Sequence, residues 1–161
     1  THIASVTCCN KGLCTVEANS ERLDLTLDSG AVRSCLTEDA AQNVPLHTVS
    51  NPTIFSTAGG DSLTELGTKT PTLKFLGGDR AKKKFSVCQG LRLNILSTAE
   101  LEDTNHRIVH QPAKYGGSYI EKLNPNSKPL KPTGQYRRVF RRGNKYQVPV
   151  WIASFSEKGE R

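Results

Sequence analysis

Short β-prone runs separated by glycine-marked turns recur along almost the entire chain, and that punctuation limits the folds open to it. Residues 5–9 and 13–18 flank Asn10-Lys11-Gly12, the pattern of a hairpin with a three-residue loop. Leu23, Leu25 and Leu27 alternate with Asp24, Thr26 and Asp28, as in a strand with one buried face, before Ser29-Gly30 breaks the run. Residues 53–57 and 62–66 are extended runs around a hairpin tip, Ala58-Gly59-Gly60-Asp61. Residues 72–75 and 84–87 read as another antiparallel pair, with Lys82-Lys83-Lys84 as a solvated start to its second strand. Residues 106–111 and 118–122 are strand-like and parted by Gly116-Gly117. Residues 136–141 and 145–152 form a last hairpin across Arg142-Gly143-Asn144.

Helical signals are few. Thr37 is placed to cap one short helical turn over 37–42, which Pro45 ends. Ser97 and Glu100 stand at capping-box spacing, so a strand over 91–96 gives way to a short helix at Thr98. There are no repeats, low-complexity tracts or linkers. The expectation is one all-β domain over 1–153, a small closed barrel with one short helix and an added C-terminal hairpin, then a polar tail over 154–161 that frays.

Composition narrows the function classes. No apolar run approaches the roughly 18 residues of a membrane span, so no membrane partner is expected. The chain opens without a signal-peptide pattern, and its five Cys are odd in number and irregularly spaced. That points to an intracellular, reducing compartment, cytoplasm or nucleus, and to plain thiols rather than a disulfide framework. No Cys-x-x-Cys pair or nearby His completes a metal site, so neither metal nor cofactor is expected. Met is absent, which points to processing or excision from a longer precursor. The net charge of +7 is uneven: residues 1–105 carry −2 and residues 106–161 carry +9. Charge of this kind reads first as a solvated basic surface, and second as a site for an acidic partner such as nucleic acid.

The chemistry concentrates at Asp28, where a buried strand runs into a turn. A carboxylate there is partly desolvated, and Gly30 lets another chain approach closely. Asp28-Ser29-Gly30-Ala31 resembles the catalytic loop of the retropepsin-like aspartic proteases, Thr57-Ala58-Gly59-Gly60-Asp61 resembles their flap tip, and Asn94-Ile95-Leu96-Ser97 their second apolar strand. With Ser97 after Ile95-Leu96, and Thr98-Ala99-Glu100-Leu101 following, the chain is similar to proteases of copia-type retrotransposons and related retroelement polyproteins. The similarity runs from about Leu23 to Trp151, giving a core over 23–101 and a basic β extension over 102–153. Arg33, two residues past the loop, and the density of Lys and Arg in the final hairpin depart from that pattern.

The resemblance implies an aspartic endopeptidase that cleaves a polyprotein. Asp28, Ser29 and Gly30 would form the catalytic loop, with Ser29 bracing it across a dimer and Gly30 N–H steadying the carboxylates. Ala31, Thr57, Ala58, Gly59, Gly60 and Asp61 would hold substrate. Only one Asp-Ser-Gly is present, so the second carboxylate must come from a copy of the chain across a two-fold axis. Strand phase suggests Val32, Leu46, Ile54 and Leu93 as pocket walls. A Cys35–His106 nucleophile pair has no support from spacing. The alternative is a catalytically silent domain of this type acting as a basic structural or nucleic-acid-binding subunit, with the aromatic and Arg residues of 136–142 as its contact surface.

Overall fold

The leucine alternation near residue 25 does bury one face: Leu23 and Leu25 are buried and Leu27 packs against the same core. The computed structural model describes residues 6–9, 12–15 and 20–153, so the polar tail and the Asn10-Lys11 link lie outside the described residues. The first half forms β1 (Val6–Cys9), β2 (Gly12–Thr15), β3 (Arg22–Asp28), β4 (Cys35–Leu36), β5 (Ile54–Ser56), β6 (Ser62–Lys69), β7 (Thr72–Phe75) and β8 (Arg80–Lys82). The second half forms β9 (Phe85–Cys88), β10 (Ile95–Ser97), α1 (Thr98–Asp103), β11 (His106–Val109), β12 (Tyr119–Asn124), β13 (Lys131–Arg138), β14 (Phe140–Arg142) and β15 (Lys145–Ile152). A 3-10 turn covers Ala113–Tyr115. The described residues are mostly β, with one short helix among them, as expected.

β1 and β2 form the expected antiparallel hairpin, although Gly12 pairs with Cys9 and so belongs to the strand. A ten-stranded sheet has the order β5-β6-β9-β4-β10-β3-β15-β7-β8, with β14 paired to β15 off that path. The path is open at both ends, and the closed barrel is not found among the described residues. Both end strands are only three residues long and mostly exposed, a form in which sheet edges are left unpaired. β10 runs parallel to β3 with Ser97 opposite Asp28, and β4 lies antiparallel to β10. A second sheet is antiparallel throughout, in the order β11-β12-β13. Leu25, Leu36, Phe85 and Val150 of the first sheet, Leu101 of α1 and Ile120 of the second share one core cluster.

Pro149 shows why such a strand can sit mid-sheet. Ile152 N–H donates to the Glu21 carbonyl on the β3 side, and Ala153 N–H to Thr72 on the β7 side. By that alternation residue 149 faces away from β3, where β14 pairing stops at Gln147 and β7 pairing starts at Val150. The proline's missing N–H falls in the gap.

Four expected elements differ, the first being the strand over 91–96, which begins only at Ile95 as the three-residue β10. Residues 37–42 make successive turns rather than a helix: Thr37 Oγ1 bonds Asp39, and Ala41 takes φ 53°, which no helix continues. β7 pairs with β8 through a loop closed by Phe75 and Asp79, while β9, buried at all four positions, lies between β6 and β4. Gly77 and Gly78, both at positive φ, turn the chain too early for 84–87 to return as its partner. Residues 136–138 belong to β13 and pair with β12; Val139, buried with its N–H on the Ser118 carbonyl, separates them from β14, so the last hairpin is β14–β15 alone. No helix among the described residues is long and apolar enough to cross a membrane.

Candidate active site

β3 carries Asp28 to the edge of the core, where the carboxylate is half-buried and accepts a 2.8 Å hydrogen bond from Gly30 N–H. Glycine suits this turn, because a Cβ at residue 30 would sit 3.3 Å from Asp28 Oδ1. The turn is held from below. Ser97 Oγ donates to the Ala31 carbonyl at 2.7 Å and accepts from Glu100 N–H at 3.2 Å as the cap of α1. Ser97 N–H donates to Ser34 Oγ at 2.9 Å, and Ser34 donates both its N–H (3.0 Å) and its hydroxyl (2.6 Å) to Glu100 Oε1. Lys83 Nζ reaches the same oxygen at 2.8 Å. The capping box is therefore opened: Glu100 turns to Ser34 and Lys83 instead of back to Ser97 N–H. Burial alone would raise the Glu100 pKa, but the Lys83 and Ser34 donors outweigh it and hold the group below its ordinary value.

A groove of about 600 Å³ opens beside the carboxylate. Asp28, Gly30, Ala31 and Val32 line one wall, and Ile54, Phe55, Ser56, Thr57 and Ala58 the other. Asp28 is the only carboxylate among its described lining residues. Val32 and Ile54 are 73% and 68% exposed, so the mouth presents apolar surface beside the acid. Arg33 also faces in, anchored by Glu65 at 3.6 Å and Thr53 Oγ1 at 3.3 Å. Glu65 is buried; that burial is outweighed by donors from Ser86 (2.6 Å), Thr53 N–H (3.1 Å) and the Arg33 charge, and its pKa lies below the ordinary value.

Of the residues expected at the site, Asp28, Gly30, Ala31, Thr57 and Ala58 come together at this groove. Ser29 is exposed at the turn and does not line it, nor do Gly59, Gly60 or Asp61. Asp61 lines an adjoining groove with Leu93, and Thr57, Leu63, Leu91 and Ile95 border both spaces. The tip of the β5–β6 hairpin, expected as a flap, is a closed turn: Thr57 N–H donates to Asp61 O at 2.8 Å, Gly60 N–H to Thr57 O at 3.0 Å, and Asp61 N–H to Thr57 Oγ1 at 3.1 Å. Leu46 stands instead beside Gly67, outside both grooves.

Cys35 lines the groove as well, its Sγ donating to the Arg33 carbonyl at 3.5 Å, and the neighbouring buried Cys88 thiol together with burial pushes its pKa far up. It is a neutral thiol and a poor nucleophile. No His lines the groove among the described residues; His106 lies on β11 beside Thr104 Oγ1. The side chains of Cys8, Cys9 and Cys14 lie outside the described residues. Ser34, Lys83, Glu65 and Ser86 had no sequence signal, since their bonds join residues 12 to 66 positions apart. Neither protein-family models nor curated proteins give a match to this chain.

Proposed function

We propose that the chain is an aspartic endopeptidase of the retropepsin type, acting on a retroelement polyprotein as a homodimer. The observation that carries the reading is a lone carboxylate, Asp28, held by Gly30 N–H in a groove whose far wall is the β5–β6 hairpin. Its sequence resemblance in the Asp28-Ser29-Gly30-Ala31 loop adds support.

One carboxylate cannot supply both acid and base, so a copy brings its own Asp28 to the two-fold axis. Two carboxyls in contact cannot both ionise and share one proton, with pKa values that belong to the pair. The ionised partner takes a proton from water as the oxygen attacks the scissile carbonyl, and the protonated partner hydrogen-bonds the developing oxyanion. Proton transfer to the amide nitrogen then releases the amine as the C–N bond breaks. Gly30 N–H keeps the ionised form oriented, and Ser29, exposed at the turn, is free to bond across the axis. An extended peptide lies between Val32 and Ile54, with hairpin backbone closing over it.

The test is cleavage of a peptide library between about pH 4 and 7, with Asp28→Asn as comparison. Acid-favoured, concentration-dependent cleavage that vanishes in the folded variant is expected. A folded wild-type chain that cleaves nothing supports the silent, binding-subunit reading instead.

A further inference from the structure

We infer that the C-terminal extension carries a second, separate site, for single-stranded nucleic acid, on the outer face of β12–β13 and the groove beside β14. Residues 106–153 hold ten Lys or Arg against one carboxylate, Glu121. Four of the five arginines among them fall into two sets. Arg107 is spent on Glu121 at 2.6 Å, and Arg137 on Asp79 at 3.0 Å while its guanidinium lies 3.9 Å over the Phe75 ring. Those two fasten the second sheet. Arg138 and Arg141 are exposed, and both line a groove of about 660 Å³ with no acidic residue among its described walls.

The groove and the sheet face meet at Arg138, which pairs across the strands with Tyr119 and so shares its face. Tyr119 and Tyr136 stand edge to face there with centroids 5.3 Å apart, and Tyr136 is 56% exposed. In the groove His110 and Tyr146 rings lie 4.4 Å apart, and Arg141 Nε is fixed on the Gly143 carbonyl at 2.7 Å. Open aromatic faces that accept bases, beside paired guanidiniums that accept phosphates, are the two requirements of single-strand binding. An acidic peptide would use the cations but leave the exposed tyrosine ring without a partner that stacks.

The test uses the whole chain and a labelled uridine oligoribonucleotide of about a dozen nucleotides, read by fluorescence anisotropy at roughly 50 to 200 mM salt. Arg138→Ala with Arg141→Ala should weaken binding about ten-fold or more and lower the salt slope by about 1.4. Tyr136→Ala should weaken it about five-fold or more with the slope unchanged. Lys82→Ala with Lys84→Ala removes the same charge elsewhere and should cost less than about two-fold if the site is local. Equal losses in the two double variants would overturn the site in favour of diffuse charge. Competition by a polyglutamate peptide as effective as unlabelled RNA would overturn the ligand class. No binding at the lowest salt by protein with unchanged circular dichroism would overturn both. Proteolysis plays no part in this readout, so the result is independent of Asp28.

Discussion

Ser34 serves three bonds at once: its hydroxyl donates to Glu100 and accepts from Ser97 N–H, and its own N–H also reaches Glu100. Ser34→Ala leaves a buried N–H and a carboxylate oxygen short of partners, at a cost of about 1–3 kcal/mol. Urea denaturation should register that loss, and an unchanged midpoint would show that the network does not hold the loop. Ser97→Ala removes both the helix cap and the brace on the Ala31 carbonyl, and should lower stability by about 0.5–2 kcal/mol. Under the proposed mechanism it should also lower kcat more than it changes KM, because the Asp28 turn loses its support. Asp28 itself was readable in sequence because the strand, the turn and the glycine are consecutive. Its support was not: the Ser97–Ser34 and Ser34–Glu100 bonds span 63 and 66 positions, and nothing local at Ser34 announces them. Only the Ser97–Glu100 spacing gave a hint, and the fold uses half of it.

At the scale of elements, β6 is shaped by one close approach. A Cβ at Gly67 would collide with the His47 carbonyl and come within 3.0 Å of Leu46 Cδ1, where the β6–β9 register also shifts. Gly67→Ala should therefore displace the His47–Thr68 bridge, whose two backbone bonds are both 2.8 Å, and cost about 1–3 kcal/mol. Faster amide exchange at His47 and Thr68 is the measurement; unchanged protection would contradict the clash. The strands were legible one by one, since alternation and turn residues act over a few positions. Their partners were less so. β9 follows β8 in sequence yet pairs with β4 and β6, a choice set by its four buried residues and not by its neighbouring loop. Likewise the stretch 136–141 is divided between two sheets at buried Val139, where a hydrophobic residue inside a basic run marks the switch.

For the whole molecule, acid is the main liability. Burial, reinforced by the Arg137 charge, holds His106 below its ordinary value of 6.5, and Glu65 and Glu100 lie below 4.5. In each case the unfolded chain takes up protons at a higher pH than the fold does. On the acid side stability is therefore full down to about pH 6.5, declines first through His106, and declines again below about 4.5 as Glu65 and Glu100 take up protons. Thermal melts from pH 7 to 4 should show both stages, with His106→Gln removing the upper one; a flat profile would contradict the assignment. The charge imbalance has a structural counterpart: the Asp28 groove lies on the first sheet, and Arg138 and Arg141, for which no carboxylate partner is seen among the described residues, lie on the extension. Sequence alone showed the excess charge, but which arginines are tied down depends on Asp79 and Phe75, some 60 residues away.

Under the proposed mechanism two copies of Asp28 make one catalytic centre, and mixing subunits separates that arrangement from a centre built by one chain. Asp28→Asn protein is added to a fixed amount of wild type and equilibrated, and peptide cleavage is followed. With random pairing, an equal amount of variant should reduce activity to about half, and a nine-fold excess to about a tenth. Activity that stays constant across the titration would mean that a single chain supplies the whole centre, and would rule out the shared Asp28 pair.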